Sequence, residues 1–178
     1  MEREYWQPRP ARRRVPAALL SFVAVLTVAV ALTACGSPSG STASGGDRAA
    51  PLTGTTLTGA TYDLAAHSGK PVVINFFASW CPPCNMEAPD LVAFAKAHPD
   101  VQFVGVDVND KQADATAFVA RYRLPYPVVY DPGGAVGGLW KVDAIPATFF
   151  IDAGGVVRDH VVGAADRATF ESKLKSAL

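Results

Sequence analysis

The chain has little with which to build a metal site or a covalent framework: its 178 residues include three cysteines and three histidines. Three cysteines close at most one bridge, so a scaffold of structural disulfides is excluded. Tetrahedral zinc wants four ligands, and His67, His98 and His160 are not spaced as a ligand pair, which argues against a zinc module. Charge of one sign is lacking too, with 16 Lys and Arg against 16 Asp and Glu. Five of those positive and two of those negative charges sit in residues 1–34, so the remainder carries 11 against 14. No basic stripe is left to recognise nucleic acid.

Two further absences organise the chain. Residues 15–34 hold no charged side chain and follow a head containing Arg3, Arg9, Arg12, Arg13 and Arg14, the layout of an export signal. An uncharged run of about 20 residues also suffices to span a bilayer, so a retained membrane helix is the competing reading. Leu32-Thr33-Ala34-Cys35 resembles the lipobox of bacterial lipoprotein precursors. The resemblance implies removal of residues 1–34 and a lipid on Cys35. Arg12-Arg13-Arg14 raises a twin-arginine signal, but Pro16 and Ala17 depart from that pattern and favour general secretion. Residues 36–50 contain no large apolar side chain, so residues 35–50 are expected to form a flexible tether and residues 51–178 one domain.

Within that domain the pattern predicts an N-terminal hairpin over 55–64 around Gly59 and a continuous apolar strand over 71–77. It then predicts a helix from Pro82 to about His98 kinked at Pro89, a strand over 101–108, a helix over 113–122 and a strand over 127–130. A hairpin over 147–152 and 156–162 and a last helix capped by Asp166 complete an α/β order with a mixed sheet. Trp80-Cys81-Pro82-Pro83-Cys84 follows the first long strand and opens the first helix. Residues i and i+3 share a helical face there, so the two sulfurs lie within disulfide reach and form a redox-type dithiol.

These residues, with Gly69-Lys70-Pro71-Val72-Val73-Ile74-Asn75-Phe76 and Val142-Asp143-Ala144-Ile145-Pro146-Ala147-Thr148-Phe149, resemble the thioredoxin superfamily. Within it they resemble the membrane-tethered TlpA/ResA-like thiol-disulfide oxidoreductases. The resemblance implies a thioredoxin-like fold with an added N-terminal hairpin, and a cis Pro146 beside the disulfide. Asn75 stands where cytoplasmic thioredoxins bury an Asp that moves protons, and an amide cannot take that role. Glu87 matches an acidic residue of ResA-like members.

Cys81 is expected to be the accessible nucleophile, its thiolate favoured by the helix N-terminus. Pro82 and Pro83 lack N–H groups, so only the amides from Cys84 onward can stabilise that sulfur. Within the roughly 3.5 to 7.5 range of such thiols it is therefore expected to be moderately rather than extremely acidic, which gives the pair a reducing bias. Cys84 is the buried resolving thiol. Glu87 is either the base that deprotonates Cys84 or a solvated carboxylate at a helix start. Ile145 and Pro146 would present backbone to a substrate peptide, with Trp80 beside the active-site helix and Trp140 in the core or at its rim.

The function implied is disulfide exchange with exported proteins, apocytochrome c among them, with a membrane electron donor re-reducing the pair and no cofactor or metal. Competing readings are a thiol oxidase of oxidative folding, a peroxiredoxin-like peroxidase and a copper-delivery module. The Pro-x-x-x-Thr/Ser-x-x-Cys setting of peroxiredoxins is missing before Cys81, and copper modules of the SCO type space their cysteines by three residues and add a distal His.

Overall fold

The computed structural model describes residues 46–178. Residues 1–45, and with them the predicted signal segment and Cys35, lie outside the described residues. Strand β1 (Thr53–Thr55) pairs antiparallel with β2 (Thr61–Asp63), and a 3-10 turn over Leu64–His67 leads to β3 (Val72–Phe77). Then come α1 (Pro82–Ala97), β4 (Gln102–Val108), α2 (Gln112–Tyr122), β5 (Val128–Asp131), α3 (Ala135–Leu139), β6 (Ala147–Ile151), β7 (Val157–Val162) and α4 (Arg167–Leu174). The five-stranded sheet runs β5-β4-β3-β6-β7. Strands β3, β4 and β5 are parallel, while β6 is antiparallel to both β3 and β7. This is the thioredoxin-like arrangement, with the hairpin added in front.

Central β3 is buried at every position because both faces of the sheet are covered, which is why it reads as an unbroken apolar run. Side chains alternate across it. Val72, Ile74 and Phe76 join Leu52, Tyr62, Trp140 and Phe149 on one side. On the other, Val73 meets Leu91, Phe94 and Phe170, and Phe77 meets Cys81, Cys84 and Phe118. Asn75 falls on the second face, between Val73 and Phe77, under α1. Helix α1 runs unbroken through Pro89. Asp166 caps α4 by accepting from the Thr169 amide at 2.8 Å.

The hairpin lies against the β5 edge: Leu57 N–H donates to Val128 C=O at 2.9 Å and Thr56 bridges to Val129. Gly54 permits this approach, since a β-carbon there would stand 2.6 Å from Val129 Cγ1. Folded structure also begins before Pro51. The Gly46 amide donates to Val157 C=O at 2.7 Å, Val157 N–H to Asp47 C=O at 2.9 Å and Ala49 N–H to Gly155 C=O at 2.9 Å. Residues 46–50, assigned above to the tether, are thus pinned to the start of β7 through backbone bonds that side-chain composition does not report. Among the described residues no helix is long and apolar enough to cross a membrane.

Candidate active site

Phe77 ends β3, and four residues later Cys81 caps α1 in an extended conformation. Its Sγ accepts from the Cys84 amide at 3.3 Å. Pro82 and Pro83 fill the first two helical positions, where a missing N–H costs no intrahelical bond. Cys81 and Cys84 are joined as a disulfide across a Cα–Cα distance of 5.3 Å. The Ile145–Pro146 bond is cis, and Ile145 O lies 3.8 Å from Cys81 Sγ. The structure therefore brings Cys81, Cys84, Ile145 and Pro146 together.

Two expectations need correction. Cys81 is 3% exposed and Cys84 1%, so in the closed disulfide both are buried, and the anticipated contrast between an open and a hidden sulfur is small. The backbone of Ile145 lies against Cys81 and covers it. Trp80, expected to pack beside the helix, is instead 60% exposed. Its indole Nε1–H donates to Asn109 C=O at 3.1 Å, which turns the ring toward the loop after β4. Two clefts flank that ring. One, of about 310 Å³, is bounded by Asn109, Asp143 and Ile145, and the other, of about 390 Å³, by Asn85, Phe118 and Arg121. Trp140 is a core residue whose indole donates to Pro51 C=O at 3.2 Å.

Glu87 follows Cys84 by one helical turn on the same face and is 3% exposed, so the solvated-carboxylate reading fails. Asn75 Nδ2–H donates to its Oε1 at 2.9 Å and the Ala165 amide to its Oε2 at 3.2 Å. Asn75 also donates to Thr148 Oγ1 at 3.0 Å. Burial pushes the Glu87 carboxyl up to about 7, and the two hydrogen bonds pull back against that rise. Asn75 therefore places a titratable group rather than being one. A carboxyl half-ionised near neutral pH, one turn below Cys84, is equipped to exchange a proton there.

Sequence reasoning missed four residues around the same helix start. Asn85 Nδ2 donates to Ser79 C=O and to Cys81 C=O, both at 2.9 Å, and Tyr122 OH donates to Asn85 Oδ1 at 2.9 Å. On the opposite side Asp110 Oδ2 accepts from the Ser79 amide at 2.6 Å. Beneath it Asp107 is fully buried, and neither of its carboxyl oxygens has a hydrogen-bond donor among the described residues. Desolvation, with Asp110 and Asp131 nearby, pushes Asp107 up to about 8. Its signal in the sequence is a lone acid inside the apolar strand Val104-Gly105-Val106-Asp107-Val108. Among the described residues no cluster of three or more His, Cys, Asp or Glu is placed to hold a metal ion.

Comparison with known proteins agrees with this geometry. The soluble secreted antigen MPT53 of Mycobacterium tuberculosis is 38% identical over 109 residues, covering 61% of this chain and 63% of its own length. The thiol-disulfide oxidoreductase ResA of Oceanobacillus iheyensis is 36% identical over 107 residues, 58% of this chain and 55% of the relative. The chain thus spans less than two thirds of these relatives. The crystal structure of a secreted Mycobacterium tuberculosis disulfide oxidoreductase superposes with a TM-score of 0.66 at 34% identity, covering 70% of this chain and 94% of that one. The AhpC/TSA family model matches residues 45–160. With that match spanning most of its length, the chain belongs to the AhpC/TSA family and, within the thioredoxin superfamily, stands with its TlpA/ResA-like members.

Proposed function

We propose that the protein is an extracytoplasmic thiol-disulfide oxidoreductase working mainly as a reductant of exported proteins. The observation that carries this reading is the Cys81–Cys84 pair at the start of α1 with Ile145 O beside the Cys81 sulfur. In the reduced state the Cys81 thiolate attacks a substrate disulfide, forms a mixed disulfide and expels one substrate thiolate. Cys84 loses its proton to Glu87 and attacks the Cys81 sulfur, releasing the second substrate thiolate. Two electrons pass to the substrate and the Cys81–Cys84 bridge closes, so a membrane dithiol donor must reopen it.

The backbone of Ile145 offers an edge on which an extended peptide can lie beside Cys81, and the exposed Trp80 borders the same approach. The lipid on Cys35 would hold the domain at the outer face of the membrane. Secretion of the MPT53 relative supports an extracytoplasmic setting, and reduction of haem-site cysteines in apocytochrome c is one task that the TlpA/ResA-like resemblance implies. The AhpC/TSA name covers peroxidases as well, but Cys81 lacks their sequence setting.

Reduction of insulin by the reduced protein tests the activity. Cys81→Ser is expected to abolish it, and Cys84→Ser to accumulate a mixed disulfide through Cys81. Full turnover by Cys81→Ser would refute the reading. Mass spectrometry of partners held by Cys84→Ser in the native host then identifies the substrates: apocytochromes support the specialised task, whereas a broad mixture points to general oxidative folding.

A further inference from the structure

The residues just before Cys81 are held from outside by one short loop. Ser79 N–H donates to Asp110 Oδ2 at 2.6 Å, and Trp80 Nε1–H donates to Asn109 C=O at 3.1 Å. The loop is itself tied down. Asn109 N–H donates to Asp131 C=O at 3.0 Å, Tyr130 OH to Asp110 C=O at 3.1 Å, and the Lys111 amide to Asp110 Oδ1 at 2.7 Å. Asp107 lies under this loop with no exposure and no donor to either carboxyl oxygen. A carboxylate cannot sit so without a large desolvation cost, whereas a carboxylic acid can, provided that its O–H finds an acceptor.

The groups around Asp107 decide which acceptor that is. Beside it in the sheet stand Phe77 of β3 and Tyr130 of β5. The charged neighbours that act on it are Asp131 and Asp110. The Asp131 carboxylate already accepts from the Ala135 amide at 2.8 Å and the Gly137 amide at 2.9 Å. Asp110 stands within hydrogen-bonding reach of a protonated Asp107. Burial works against an ionised Asp110, but hydrogen bonds from the Ser79 side chain and amide, from the Lys111 amide and from Asp107 together hold its pKa below the usual carboxylate range.

We propose that Asp107 and Asp110 share one proton, and that Asp107, as the donor, is a positioning residue that holds Asp110 against Ser79 and so sets the Ser79–Trp80 shoulder from which Cys81 meets its substrate. This rests on the oxidoreductase reading for its consequence and on the buried, unpartnered carboxyl of Asp107 beside Asp110 for its existence. While the proton is present, one negative charge is shared and the loop is drawn together. Its loss places a second carboxylate, fully buried, beside the partly buried Asp110, and their repulsion pushes on Ser79 and Trp80. Asp107 touches neither sulfur in this account. It acts through Asp110.

The test uses the full-length chain in detergent micelles, with ¹³C-labelled aspartate and ¹⁵N-labelled tryptophan followed by NMR against pH. Asp107 is expected to titrate near 8, and the Trp80 indole resonance to shift with the same midpoint. Asp107→Asn keeps a donor but no titratable proton, so the Trp80 resonance becomes independent of pH while insulin reduction at pH 7 stays within about twofold of the parent. Asp107→Leu removes the donor, and reduction is expected to fall about tenfold with Asn as the rescuing residue. An Asp107 already ionised at pH 7, a Trp80 resonance blind to its titration, or indistinguishable Asn and Leu variants would overturn the proposal. If Asp107→Leu fails to fold, the parent and Asp107→Asn titrations decide alone. The NMR titration needs no turnover, so it stands apart from Cys81→Ser, which decides the oxidoreductase reading.

Discussion

Two buried acids flank the start of α1, and the sheet serves them differently. Glu87, beneath the helix, has a donor on each oxygen, from Asn75 and from the Ala165 amide, and its pKa rises to about 7. Asp107, under the loop after β4, has no donor and two acidic neighbours, and rises to about 8 from a lower starting value. Burial is the largest cause in both cases, so the difference lies in the surroundings: donors hold an acid within range of neutral pH, and like charges drive it beyond. The pocket with donors lies one helical turn from Cys84. The one without lies behind the residues that precede Cys81.

The sharpest break of this comparison is stability against pH. Both acids have folded pKa values above their unfolded ones, so between the two values the folded state binds more protons than the unfolded chain. Stability therefore falls as pH rises, from about 4 to 8 for Asp107 and from about 4.5 to 7 for Glu87. At about 1.4 kcal/mol per pKa unit, the ceiling is on the order of 6 kcal/mol for Asp107 and roughly 3–4 kcal/mol for Glu87. Urea unfolding at pH 5 and pH 8 should show Asp107→Asn gaining on the parent by more than Glu87→Gln does. Equal gains would erase the distinction.

A second variant sharpens it from the other side. Asn75→Leu strips Glu87 and Thr148 of a shared donor, at a cost of about 1–3 kcal/mol. Glu87 should then titrate above its present value in ¹³C NMR, with Asp107 unmoved. A smaller, pH-independent effect is expected from Gly54→Ala, where the new methyl meets Val129 Cγ1 on the face of the sheet opposite Asp107. It should cost about 1–3 kcal/mol at pH 5 and pH 8 alike. A pH-dependent cost there would mean that the pockets are not the source of the pH response.

Much of this was legible beforehand because one local cause dominated. β3 is apolar throughout since both its faces are covered, α1 starts where its prolines allow, and Asp166 caps α4. Helix α3 was not legible: five residues with two glycines carry no period, and Asp131 holds it by accepting from two of its amides. Glu87 could be placed on the Cys84 face by spacing alone. Its burial could not, because the donors come from Asn75, 12 residues earlier, and Ala165, 78 residues later. Trp80 and Cys81 misled for the same reason. Their exposure is decided by Asn109 and Ile145, which only the folded sheet brings near.

The backbone bonds of Gly46, Asp47 and Ala49 to the beginning of β7 also set a polarity. Val157 is the register partner of Ile151, and Ile151 that of Val72, so the chain enters at the head of β3, while the sulfurs lie past its tail at Phe77. Six strand residues, roughly 17 Å, separate the two poles. Gly46, where the described residues begin, therefore lies at the pole of the sheet opposite the disulfide.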